Sequence, residues 1–298
     1  ELVLDQRTLR LIFVALARGS KVGTADSDSA KAIEEDVEAV GIVAVECMEE
    51  LIARGMEGEK KLSMLNHTGL LEKIHEHVDL VTVDSSPIDV VLEVAKFINR
   101  TGLEIFPIIY ERQGIADIAN SCMPSDIDEG IVTIYNQLMD LFFRCFAYDD
   151  IDVSGAVIPL AGFLISISDR EHLQHQLQRE DIFSKLLRIT YNQMRYPSDF
   201  RYDYKDDDEA EEEMYRTELR KLNKKCVRAN PDLCLQYACQ ALSQLPLPIS
   251  TAPTSLVEVA ISLVYQYCEG IRPPPGHLIV MRNEKFRDRK STRLNSSH

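Results

Sequence analysis

The sequence predicts an all-α fold, an α-α superhelix of antiparallel helix pairs. Three observations predict it. Apolar residues recur every three or four positions through most of the chain, the period of one helix face. Glycine and proline are sparse, 13 and 12 among 298 residues, which disfavours a sheet protein dense in tight turns. Helix start and stop signals also recur along the chain, so the helices are many and come in pairs.

Taken in order, Glu34 to Arg54 reads as one long helix striped by Val37, Val40, Ala44, Cys47 and Leu51, and Leu62 to His77 as a shorter one. Ser86 before Pro87, with Asp89 in the first turn, opens a helix that should close at Thr101-Gly102. Ser125 opens the next, striped by Ile127, Ile131, Ile134, Leu138, Leu141 and Cys145. Asp152 is placed to cap its partner, which carries Val153, Val157, Leu160, Leu164 and Ile167 and should bend at Pro159. Ser168 with Glu171 reads as a capping box for a helix ending near Tyr196-Pro197. From about Asp206 a helix bears Tyr215, Leu219, Leu222 and Cys226. Asn230-Pro231 ends it and starts another with Cys234, Ala238, Ala241 and Leu245. Ser255 with Glu258 caps the last, with Val257, Ile261, Val264 and Cys268 as its main stripe and Val259, Leu263 and Tyr267 beside it, before Pro273-Pro274-Pro275-Gly276 stops regular structure.

Helix pairs apolar on more than one face cannot bury themselves alone and must stack on their neighbours, so the expected architecture is a HEAT/ARM-like solenoid over residues 1–287. Residues 288–298, DRKSTRLNSSH, read as a non-native adapter-derived tail outside the fold. With that basic tail set aside, the remainder is more acidic than the net charge of −15 of the whole chain. The chain opens on Glu1 and reads as an internal piece of a longer protein. Aspartate, glutamate, lysine or arginine interrupts every apolar run before membrane-spanning length, so no membrane insertion is expected.

Motifs for catalysis and cofactors are missing from the sequence: no phosphate-cradling glycine loop, no HExxH, no GxSxG and no CxxC. No catalytic residue, cofactor or metal site is therefore assigned. The histidines His172, His175, His75 and His77 lack the cysteine or carboxylate partners of a recurrent ligand set. Seven scattered cysteines read as reduced core residues, and the sequons at Asn66 and Asn99 as accidental.

One segment stands out by charge. The eleven residues Asp203–Glu213 hold eight carboxylates, among them Asp206, Asp207, Asp208, Glu209, Glu211, Glu212 and Glu213. Such a run is either a solvated helix start or a landing surface for a basic protein partner. Directly after it Arg216, Arg220, Lys221, Lys224 and Lys225, with Arg228, form a basic cluster that either pairs with those carboxylates or touches nucleic-acid phosphate.

The segment YDYKDDDEAEEEMYRTELRKLNKKCVRANPDLCLQYACQALS (202–243) resembles the tRNA exportins of the importin-β (karyopherin) family. The resemblance continues, in the same order, through EEDVEAVGIVAVECMEELIARGM, PIDVVLEVAKFINRTG, DIDVSGAVIPLAGFL and SLVEVAISLVYQYCEG. It implies a non-enzymatic nuclear export receptor that binds mature tRNA cooperatively with Ran-GTP, passes the pore by contact with nuclear pore proteins, and shuttles between nucleus and cytoplasm. Within that frame the acidity of this stretch places it on the protein-partner side, its 206–213 carboxylates facing Ran's basic surface, while repeats elsewhere supply most of the tRNA grip. A HEAT-repeat scaffold, or another importin-β-type receptor, is the alternative expectation.

Overall fold

Every regular element is helical in the computed structural model, which describes residues 6–19, 28–53, 57–81, 85–118, 129–168, 178–197, 200 and 207–271. In chain order these are α1 (Gln6–Gly19), α2 (Asp28–Ala53), α3 (Gly58–Thr68), α4 (Leu70–His77), α5 (Ile88–Ile118) and α6 (Glu129–Phe146). They continue with α7 (Ile151–Ala156), α8 (Ile158–Ser168), α9 (Gln178–Gln193), α10 (Asp207–Ala229), α11 (Pro231–Ser243) and α12 (Thr254–Gly270). The all-α expectation holds. The adapter-like tail, the 273–276 proline run, the Ser125 helix start and Asp206 lie outside the described residues.

The chain divides into two units, Glu1–Leu222 and Asn223–His298, the division falling within α10. In the first unit the helices lie in two rows. One row runs α2, α5, α7–α8, each against the next; the other runs α1, α3–α4, α6; and α1 against α2, α3 against α5 and α5 against α6 join the rows. Apolar side chains between the rows, Met48, Ile52, Phe97, Phe106, Phe142 and Phe146 among them, are removed from solvent. Each such side chain contributes about 1.5–3 kcal/mol by leaving water. In the second unit α11 packs on α12, and Asn223 Nδ2 donates to Gln266 Oε1 at 2.8 Å, both residues buried.

Several local expectations are corrected by packing. The predicted single helix over Leu62–His77 is two, because Gly69 takes the left-handed conformation at φ 61° and closes α3, its N–H donating to Leu65 O, before α4 begins. The helix from Ser86 does not stop at Thr101-Gly102. It runs on through Pro107 to Ile118, since Phe97 and Ile98 before the glycine and Ile105, Phe106 and Ile109 after it share one core. Gly102 is there for close approach: a Cβ would fall 2.5 Å from Leu160 Cδ2.

Asp150, not Asp152, caps α7, its Oδ1 accepting from the N–H of Asp152 and of Val153 at 3.0 Å. The bend expected at Pro159 is realised as a break between α7 and α8 at Val157. Asn99 of α5 then serves α8 from outside, accepting from Leu160 N–H at 3.0 Å. Ser168 closes α8, and Glu171 lies outside the described residues. Ser86 accepts from Asp79 N–H at 3.1 Å, and α5 begins two residues later at Ile88.

Two stripes are turned from the expected face, that of α2 only in part, since Ala44 is buried as expected. In α2 the buried set is Ala44, Val45, Met48 and Ile52, leaving Val40 47% exposed and Cys47 exposed. In α12 the flanking set Val259 and Leu263 is buried with Ala260, Gln266 and Gly270, while Ile261 is 58% exposed. Where a helix is apolar on two faces, its neighbours choose the face. For α12 the Gln266–Asn223 hydrogen bond and the contact of Gly270 with Val227 make that choice.

Candidate binding surface

The acidic run enters α10 with Asp207 and Asp208 as the helix's first two residues, where the backbone dipole favours negative charge. Its later members divide between internal and external duty. Glu212 Oε2 lies 3.4 Å from Arg216 Nε. Glu213 accepts from Arg220 Nη1 at 2.5 Å and from the Tyr196 hydroxyl at 2.8 Å. Burial would raise the Glu213 carboxyl, but the hydrogen bonds from Arg220 and Tyr196 outweigh it and hold it below the ordinary value. Glu211 points outward, and Glu209 is half-buried.

The basic cluster likewise separates residue by residue. Arg216 is not a surface cation: it is 2% exposed, its two terminal nitrogens donate to Met194 O and Arg195 O, and its guanidinium lies 3.6 Å from the Tyr196 ring centroid. That geometry ties α10 to the end of α9 and leaves Arg216 no access to phosphate. Arg220 is held by Glu213, Lys221 pairs with Glu218 at 2.6 Å, and Lys224 pairs with Glu269 at 2.5 Å. Lys225 and Arg228 are exposed.

Beside the outward face of α10, within the first unit, lies an open groove of about 1600 Å3 between α5, α7–α8 and α10. Six carboxylates line it: Glu49, Glu104, Asp152, Glu211, Glu213 and Glu218. Against them stand Lys96 and Arg100, of which Arg100 bonds Glu49 at 3.2 Å and approaches Glu104 at 3.6 Å. The floor is apolar, with Leu92, Leu103, Ile151, Ile158 and Pro159, and Met214, 64% exposed, stands at the edge. Sequence reasoning found Glu211 and Glu213 but missed Glu49, Glu104 and Asp152. No local pattern marks them, because only the stacking of α2, α5 and α7 brings them to α10.

Among the described residues no group of three or more histidine, cysteine or carboxylate side chains could hold a metal ion, and no helix is long and apolar enough to cross a membrane. His172 and His175 lie outside the described residues, and His75 Nδ1 sits 3.7 Å from Asp140. The six described cysteines are free thiols. Burial pushes Cys145 and Cys234 up to about 12, which keeps them protonated and unreactive, whereas Cys47, Cys239 and Cys268 are exposed and do not fill the core as expected.

Stacked helix pairs carrying an acidic, apolar-floored groove define an all-α helical-repeat protein. No protein-family model matches the chain. It is similar to Exportin-T of Homo sapiens, at 20% identity over 235 residues, which is 78% of this chain and 23% of that protein. The relationship is exportin-like and distant, and the chain spans less than a quarter of the length of the relative it matches.

Proposed function

We propose that this chain is a segment of a nuclear export receptor for tRNA that loads its cargo together with Ran-GTP, and that the segment serves the protein-partner side of the complex. The observation that carries the reading is the acidic groove on an exportin-like helical array. A wall with six carboxylates and two cations repels a phosphate backbone, whose binding needs lysine and arginine, and attracts a basic protein surface. In sequence, Glu211 and Glu213 of the groove belong to the acidic run Asp206–Glu213. The similarity to Exportin-T supplies the transport context.

In this reading the chain binds and does not catalyse. It moves between nucleus and cytoplasm as part of the receptor, and tRNA is held mainly by repeats outside it. Of the basic cluster, Lys225 and Arg228 are the exposed members left for phosphate contact. The test is tRNA binding by the intact receptor with and without Ran-GTP. Cooperative loading raises tRNA affinity at least about fivefold when Ran-GTP is present; equal affinity in both conditions contradicts the reading, and affinity for a different cargo points to another receptor of the same type.

A further inference from the structure

The groove between α5, α7–α8 and α10 has a shape, a floor and a charge that together specify an occupant. At about 1600 Å3 it exceeds the roughly 300–1,000 Å3 of small-molecule sites, so it is sized for a length of polypeptide. Its walls are helices, and Leu92, Leu103, Ile151, Ile158 and Pro159 give it apolar lining that suits the stripe of an amphipathic helix. Not all its carboxylates are engaged within the fold. Glu213 is held by Arg220 and Tyr196, Glu218 by Lys221, and Glu49 and Glu104 by Arg100. Asp152 and Glu211 are exposed on opposite walls, one on α7 and one on α10.

We propose that this groove docks a lysine- and arginine-rich amphipathic helix of a protein partner, its apolar stripe on the floor and Met214, its cations on Asp152 and Glu211. The proposal deepens the protein-partner reading above and rests on it for the class of partner. Nucleic acid is disfavoured by the sign of the lining, and an acidic helix would add negative charge beside carboxylates that outnumber the groove's cations.

The probe is a fluorescein-labelled helical peptide with leucines at three- and four-residue spacing and lysines and arginines between them, titrated into the 298-residue chain and followed by anisotropy. A matched peptide with glutamate for lysine and arginine, and a labelled single-stranded RNA, are run beside it. Saturable binding of the basic peptide, weakened on raising salt from about 50 to about 300 mM, is expected. The double variant Asp152→Lys, Glu211→Lys should weaken it about tenfold, the milder Asp152→Asn, Glu211→Gln less, and Met214→Ser severalfold, each with unchanged circular dichroism. Equal binding by the charge-reversal variant, equal binding of the acidic peptide, or RNA binding that the reversal abolishes overturns the proposal. Ran-GTP binding is measured on the same proteins: if it is intact while the peptide fails, the groove assignment falls alone; if the peptide binds while Ran-GTP does not, only the transport reading falls.

Discussion

At the scale of single residues, Arg216 shows how a residue's type and spacing can mislead about its role. It sits in a row of six basic residues and looks like a surface cation, yet it is the largest fully buried side chain among the described residues. Its guanidinium satisfies the carbonyls of Met194 and Arg195, stacks on Tyr196 and faces Glu212. Arg216→Leu leaves two carbonyls without donors and a carboxylate without its cation, and should lower stability by about 3 kcal/mol, read as a fall in the urea midpoint. Glu213 beside it predicts an acid limit. Its carboxyl is held below its ordinary value of 4.5 in the fold, so its contribution is whole above that value and is lost as pH falls through the folded-state value. Glu213→Gln should therefore flatten the loss of stability on acidification below about pH 4.5, measured by urea melts across pH. Pairing between the basic cluster and the acidic run was legible in the sequence, but the burial of Arg216 and the Tyr196 contact were not, since both depend on the end of α9 arriving beneath α10.

At the scale of elements, the stripes of α6 and α10 were legible because the apolar residues of each gather mainly on one face. Leu138, Leu141 and Cys145, or Leu219, Leu222 and Cys226, are buried as their spacing demands. Boundaries were less legible: Gly69 ends a helix that the apolar pattern runs through, while the stop expected at Thr101-Gly102 is overruled by packing. Thr101-Gly102 reads as a helix end, yet α5 continues because apolar residues on both sides of it share one core, and position 102 is glycine because Leu160 of α8 occupies the space a Cβ would need. Gly102→Val should cost about 2 kcal/mol or more by overpacking, seen as a lowered melting temperature. In the other direction, Asn99 looked like an accidental sequon and is the external cap of α8. Asn99→Ala should cost about 1 kcal/mol in the same assay, while Asn99→Asp, which keeps an acceptor oxygen, should cost less.

At the scale of the whole molecule, composition already carried the decisive quantity, a net charge of −15, and structure shows where part of it collects. Carboxylates far apart in sequence, Glu49 and Glu104, Asp152, and Glu211 with Glu213, meet on one groove because α2, α5 and α7 stack in a row before α10. A surface of that sign acts first on encounter, speeding the approach of a basic partner, and salt screens its effect. The measurement that tests this most directly is the association rate of Ran-GTP with the proposed receptor carrying Asp152→Lys and Glu211→Lys, compared with the unaltered protein at about 50 and about 300 mM salt. The account predicts about a tenfold slower association at low salt and a flattened salt dependence for the variant. Identical rates and identical salt dependence for the two proteins would contradict it.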